Sequence, residues 1–232
     1  WSQMTTTFGS SLTLNAVSLW IEPMKPSKYT YDPSFNISTF SEKRTLFQLY
    51  PSNSTLFGLL ELNMERNSSS PHLFLTLSQW APGTNAKTAS PVASISTING
   101  AVWIDPEGWT NIIVTLSPGN AQTMVIYIDG SPAAFGTFQL QYAFQPARMT
   151  LGHSLVYPFV NSFCGLIDEV TLWSTPFGPF DALARQYVAI DPSNTGLVSY
   201  WDFNEGYGVV ANDQISNFQL KPATSSPVTM PR

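Results

Sequence analysis

The stretch Phe-Cys-Gly-Leu-Ile-Asp-Glu-Val-Thr-Leu-Trp-Ser, residues 163–174, sets Asp168 and Glu169 side by side inside an otherwise apolar run. Two carboxylates there could form an acid and base pair, share a calcium ion, or serve as polar groups tied into a strand. On a regular strand neighbouring side chains point to opposite faces. Asp168 is therefore expected on one face with Leu166, Val170 and Leu172, and Glu169 on the other with Ile167, Thr171 and Trp173. Cleavage of a glycosidic bond needs both carboxyl groups in one cleft, about 5–9 Å apart. The pattern therefore predicts that one carboxylate turns inward and accepts hydrogen bonds from loop amides or a hydroxyl, with a share in a calcium site as the functional alternative.

Asp202, Asn204, Glu205 and Asp213 form the other acidic group, in a segment whose Gly206 and Gly208 allow tight turns. Oxygen donors in a glycine-bearing loop suit calcium, and with Asp168 these residues make up the candidate metal-ligand set. Their spacing is not that of a twelve-residue EF-hand loop, and the competing reading is solvated loop acids and turn caps. Calcium is the one cofactor the sequence suggests. His72 and His153 are too isolated for a zinc site or a Ser-His-Asp arrangement. Cys164, the sole cysteine, excludes an internal disulfide and any cysteine-based zinc site, and is expected as a small buried hydrophobe.

Two aromatics fall in loop-like sequence and are candidates for stacking on a ligand: Trp80 in Ser-Gln-Trp-Ala-Pro-Gly-Thr-Asn and Tyr157 in Leu-Val-Tyr-Pro-Phe-Val-Asn-Ser. Trp20, Trp103, Trp109, Trp173 and Trp201 lie within or beside apolar runs and are expected in the core. Asn36, Asn53 and Asn67 each begin an Asn-x-Ser/Thr glycosylation sequon, all in polar sequence of the first third.

Strands must position these groups. Short apolar, β-branched and aromatic runs recur at 11–23, 45–50, 56–64, 72–80, 93–98, 111–116, 124–129, 147–153, 165–173 and 196–203, each bounded by Gly, Pro, Asn, Asp or Ser. This pattern predicts an all-β fold. The clearest hairpin joins 111–116 to 124–129 across Pro118, Gly119 and Asn120, with an Asp129-Gly130 turn after it. One helix is expected in 178–191, with Asp181 capping its first turn and Leu183, Tyr187 and Val188 on one apolar stripe. No internal repeat or linker interrupts 10–215, so residues 1–220 read as one domain and the Pro/Ser/Thr-rich 221–232 as a tail or linker.

Charged residues are 11% of the 232 and the net charge is -5. With ten scattered basic residues there is no positive stripe for a phosphate backbone, which argues against a nucleic-acid partner. No apolar run approaches the ~20 residues of a membrane span. The chain opens at Trp1 and reads as a mature or excised part of something longer.

The run Gly-Leu-Ile-Asp-Glu-Val-Thr-Leu-Trp at 165–173, preceded by Met-Thr-Leu-Gly-His-Ser at 149–154, resembles a signature of laminin G-like jelly-roll domains in the concanavalin A-like lectin/glucanase superfamily. Residues 17–27, with their Trp-x-x-Pro corner, 108–116 with Gly-Trp before a strand, and 126–133 with Tyr-x-Asp-Gly are similar to further family motifs in the same order. The resemblance implies a two-sheet antiparallel sandwich with jelly-roll topology in an extracellular or cell-surface protein. It implies no single ligand, since relatives bind glycans, proteins or lipids or act as spacers. The Tyr-Trp-x-Phe-x-Glu-Gly-x-Gly run at 200–208, similar to a motif that often opens such domains, stands here near the end, so 196–217 could close this domain or begin another. The Glu-x-Asp-x-x-Glu triad of the superfamily's hydrolases is absent around Glu61, Glu65, Glu107 and Glu169. The expectation is a non-catalytic recognition or adhesion module for a glycan or extracellular protein. Its rival is a building block of a large surface or filament protein, with contacts to neighbouring copies or domains.

Overall fold

The computed structural model describes residues 4–8, 12–23, 42–51, 58–66, 73–81, 90–98, 104, 108–117, 123–138, 144–154, 162–206 and 209–222. Each of the ten apolar runs contributes a strand. These are β2 (Ala16–Pro23), β3 (Glu42–Pro51), β4 (Leu60–Arg66), β5 (Leu73–Gln79), β6 (Ala93–Ser96), β7 (Thr110–Ser117), β8 (Thr123–Ile128), β10 (Pro146–Leu151), β11 (Gly165–Trp173) and β12 (Leu197–Trp201). Four more strands escape the sequence pattern: β1 (Met4–Thr7), β9 (Ser131–Thr137), β13 (Ala211–Asn212) and β14 (Gln219–Pro222). They are short, or, like Ser-Pro-Ala-Ala-Phe-Gly-Thr in β9, made of residues with little strand preference. β9 forms as an edge strand because β8 offers it a full antiparallel ladder.

Two antiparallel sheets result, consistent with a jelly-roll sandwich. The order in one is β13-β14-β1-β10-β3-β4-β5-β6 and in the other β12-β11-β2-β7-β8-β9. Leu19, Ile21, Ile112, Val114, Ile126 and Ile128 from the six-stranded sheet meet Phe47, Leu49, Leu60, Leu62, Leu77 and Met149 from the larger one, all fully buried. Alternation places Ile113, Tyr127 and Trp173 on the reverse face of the smaller sheet, where Phe177 and Ala182 cover them as a second apolar cluster. That second layer explains why β7 is buried on both faces.

The helix α1 (Pro179–Arg185) begins where Pro179 fixes the first helical φ, and Asp181 sits at its third position, with Oδ2 accepting the Gly178 N–H at 3.1 Å. The expected apolar stripe is corrected: Leu183, Tyr187 and Val188 are exposed, Tyr187 by 77%. The helix seats through small Ala182 instead, so close to the β8–β9 turn that a Cβ on Gly130 would lie 2.8 Å from the Leu183 Cα. The turn is as the sequence predicts, with Asp129 at φ 46° and Gly130 at φ 70°, and Asp129 Oδ1 accepts the Asn111 N–H at 2.8 Å. The Pro118–Asn120 connection lies outside the described residues.

The closing segment completes both sheets: β12 pairs with β11, and β14 bridges β13 to β1. Residues 196–217 therefore belong to this fold. Strand pairing extends through Lys221 and Pro222, two residues into the expected tail, whose remainder is not described.

Gly130 and Gly206 share a φ of 70°, but only Gly130 is crowded, since nothing lies within 4 Å of a Cβ at Gly206. In urea unfolding, Gly206→Ala is expected to cost about 1 kcal/mol from left-handed strain. Gly130→Val is expected to cost about 1–3 kcal/mol beyond that, because α1 must move. Equal losses would mean that α1 does not depend on the approach at Gly130.

Candidate functional site

The acidic strand departs from regular alternation. Asp168 pairs with Trp20 and Thr171 with Ser18, so Glu169 and Val170 together oppose the single residue Leu19. Glu169 accommodates this bulge at φ 51°, in the left-handed region. Beyond it Val170 and Leu172 point into the core and Trp173 into the outer cluster; before it Ile167 packs on the core while Leu166 and Asp168 turn outward, across from Glu22 and Trp20. Asp168 therefore does not share the face of Val170 and Leu172. Glu169 comes to the outer side as well, where its Oε2 accepts the Tyr200 hydroxyl at 2.6 Å. The expectations that the two carboxylates diverge and that one of them turns inward both fail, because the bulge resets the two-residue period.

Burial raises the pKa of Asp168; the Glu169 N–H, 2.9 Å from its Oδ1, opposes the shift and nearby Asp202 adds to it. Burial also raises Glu169, opposed by the Tyr200 hydroxyl and reinforced by Asp168 and Asp202. The Tyr200 hydroxyl is pushed far above its ordinary range by burial and by the Glu169 carboxylate it bonds.

Asp168 lines a cleft of about 310 Å³ that β11 forms with the 203–211 segment. Its walls are mainly apolar: Trp109, Phe163, Leu166, Phe203 and Val209, over a floor that includes Met4 and Leu151. Glu205 is the other carboxylate in the lining. Its Oε1 is held by the Asn212 N–H at 2.6 Å, which keeps the turn closed over the cleft. Gly165 is required at the wall, since a Cβ there would lie 2.5 Å from the Glu22 carbonyl oxygen and from the Phe163 ring. Phe203, at φ 51°, is a second non-glycine residue in the left-handed region beside this cleft. Left-handed backbone costs about 1–2 kcal/mol at such a residue, so the surrounding contacts must hold it.

The other expected ligands are dispersed. Asp202 Oδ1 accepts the Asn204 N–H and the Gln214 side-chain amide, both at 3.4 Å. Asp213 Oδ1 accepts the Tyr200 and Ile215 N–H groups at 3.0 and 2.9 Å, tying β12 to the next turn. Its buried Oδ2 has no partner among the described residues. One unpartnered carboxylate oxygen is not a site: among the described residues no three His, Cys, Asp or Glu side chains converge to hold a metal ion. Of the five candidate ligands, the cleft brings together only Asp168 and Glu205.

Trp80 is not an exposed loop aromatic. It is 7% exposed and follows β5 directly, with its backbone N–H donating to the Leu59 carbonyl at 2.9 Å. Cys164, expected buried, is exposed, because it lies in the unpaired residues just before β11. His153 is buried, with Nδ1 at 3.1 Å from the Leu151 carbonyl oxygen, and burial lowers its pKa. Glu61 is bound within the larger sheet, accepting Gln48 Nε2 at 2.6 Å with Lys43 Nζ at 3.6 Å. Tyr157, Asn36, Asn53, Asn67, His72 and Trp103 lie outside the described residues.

Sequence reasoning missed Trp109. Grouped with the core tryptophans, it is 42% exposed and forms part of the cleft wall. Trp173 and Trp201 are buried as expected. The signal was positional: Trp109 follows Gly108 and precedes the first paired residue of β7, so the ladder does not hold it.

A laminin G sequence model described as the concanavalin A-like lectin/glucanases superfamily matches residues 6–180. The chain belongs to that superfamily. β12 to β14 lie beyond the matched span and complete this member's two sheets. No curated protein matches the chain. Among solved structures, a candidate carbohydrate-binding protein from Bacteroides ovatus aligns at a TM-score of 0.61 and 13% identity, over 94% of this chain and 55% of its own. The chain thus spans about half of that protein. The Ruminococcus gnavus IT-sialidase CBM40, bound to α2,3-sialyllactose, aligns at 0.50 and 8% identity, over 80% of this chain and 94% of its own. Tailspike protein 2 of the Escherichia coli O157:H7 bacteriophage CAB120 aligns at 0.54 and 14% identity, over 85% of this chain and 24% of its own. At these identities the likeness establishes the fold shared across the superfamily.

A carboxyl group whose pKa is raised on folding adds stability that is complete below its unfolded pKa and is lost as pH rises through the folded one. For Asp168 that window opens at the ordinary 3.8 and extends upward. The melting temperature of the wild type relative to Asp168→Asn should therefore fall from acid toward neutral pH. Parallel pH profiles would show Asp168 to be as solvated as a surface acid.

Proposed function

We propose that this domain is a non-catalytic extracellular module that binds a glycan in the β11 cleft. The observation that carries the reading is the exposed Trp109 beside Asp168 and Glu205 in a concave, mainly apolar recess. The C–H face of a pyranose stacks on an indole, and its hydroxyls donate to carboxylates. A few polar groups set in an apolar pocket are the usual make-up of a small-ligand site. The Bacteroides ovatus and Ruminococcus gnavus neighbours, both described as carbohydrate binders, support the reading through the shared fold. Against catalysis stand the missing triad and the engagement of two of the acids around which it was sought: Glu169 holds Tyr200 and Glu61 holds Gln48. An extracellular setting fits, and among the described residues no helix is long and apolar enough to cross a membrane.

The test is a glycan array with the purified domain, run with calcium and with a chelator. Selective binding is expected, and Trp109→Ala should weaken it about tenfold or more while leaving the melting temperature near wild type, since the side chain is exposed. Retention on chelation would assign the hydroxyls directly to the carboxylates, and loss would place calcium between them. Specific hydrolysis of any glycan would overturn the reading.

One observation favours the structural building block as a second reading. Phe135 on β9 and Phe180 and Leu183 on α1 are exposed, the two phenylalanines by 84% and 88%, on two elements that touch, and Tyr187 and Val188 just beyond α1 are exposed as well. Apolar groups grouped on a surface mark contact sites. Under this reading the wild type self-associates in sedimentation at high concentration and a Phe135→Ser, Phe180→Ser double variant does not; a wild-type monomer removes it.

A further inference from the structure

Resting on the glycan-binding reading, we propose that the cleft selects uncharged sugars and discriminates against glycans whose bound residue carries a carboxylate or sulfate. The charges in its described lining are Asp168 and Glu205, both acidic. Glu169 and Asp202 lie outside the lining but close enough to act electrostatically on Asp168 or be acted on by it.

Among the described residues no cation lines the cleft. Lys43 lies against Glu61, Arg44 donates to the Ser162 carbonyl at 3.4 Å, Arg148 stacks 4.7 Å over the Tyr50 ring, Arg185 stacks 4.6 Å over Trp173, and Lys221, opposite Thr5 on β14, is outside the lining. A bound carboxylate or sulfate is ordinarily met by a guanidinium fork or an ammonium. Here it would meet carboxylates across apolar walls, where weak screening strengthens repulsion. A neutral pyranoside meets no such opposition. Its apolar face has Trp109, and its hydroxyls have acceptors in Asp168 and Glu205 that donate nothing in return. The cleft is therefore matched to a ligand rich in donors and free of negative charge, unlike the sialyllactose held by the Ruminococcus gnavus neighbour.

The experiment compares neutral glycans with sialylated and sulfated counterparts on one array, with chelator throughout so that no metal bridges the acids. Neutral ligands are expected to bind at least tenfold more tightly than the matched acidic ones. Raising the salt to about 1 M, where the screening length falls to about 3 Å, should shrink that ratio. An Asp168→Asn, Glu205→Gln double variant should narrow the ratio, whereas Trp109→Ala should weaken both classes alike and leave it unchanged. Melting curves establish that each variant is folded. Equal or tighter binding of the acidic glycans overturns the selectivity while glycan binding stands. Binding of neither class removes the glycan reading, and the selectivity with it.

Discussion

The backbone of β11 cannot run as a regular strand and still serve both its own sheet and the cleft. Its bulge at Glu169, opposite Leu19, lets one strand bury Ile167 before the irregularity and Val170 and Leu172 after it, although these residues do not keep a two-residue period. A left-handed glutamate is costly, and what holds it is the pairing on both sides, with β2 and β12, together with the Tyr200 hydroxyl on its carboxylate. The same irregularity turns Asp168 toward the cleft. Without it, Asp168 would fall on the face of Val170 and Leu172, inside the core, where an unpaired carboxylate is too costly to keep.

The second apolar layer on the outer face of the smaller sheet is built on Trp173 and Tyr127. Phe177 and Ala182 cover them, and Arg185 lays its guanidinium over Trp173. That layer buries β7 on both faces, and the cleft lies beyond it, along the half-buried first part of β11. The acids at 205 and 213 accept the backbone amides of Tyr200, Asn212 and Ile215 and so tie down the chain that forms the cleft's far wall.

Strand existence was legible because it rests on local composition. Runs such as Asn-Ile-Ile-Val-Thr-Leu or Leu-Phe-Leu-Thr-Leu are apolar and β-branched or aromatic, and they are bounded by turn residues whatever lies beside them. Asp129-Gly130 encodes its turn in the same local way, through the positive φ that both residues tolerate. β9 and β14 were illegible because their pairing comes from a neighbour's free edge, which their own residues do not announce. The apolar stripe of α1 misled, since periodicity marks a possible face and only the length of the helix and the closeness of Gly130 decide which face is seated. The tryptophans divided for a similar reason: Trp201 lies inside a ladder and Trp109 just outside one.

By itself the sequence determined the all-β class, the ten main strands, the superfamily signature and, with one cysteine, that no disulfide forms within residues 1–232, because each depends on residue type and short-range spacing. Tertiary structure decided the bulge, the outward turn of Asp168, its meeting with Glu205 and Trp109, and the burial of Trp80. Those depend on register between strands far apart in the chain, and a single unpaired residue in one ladder exchanges inside for outside for everything that follows it.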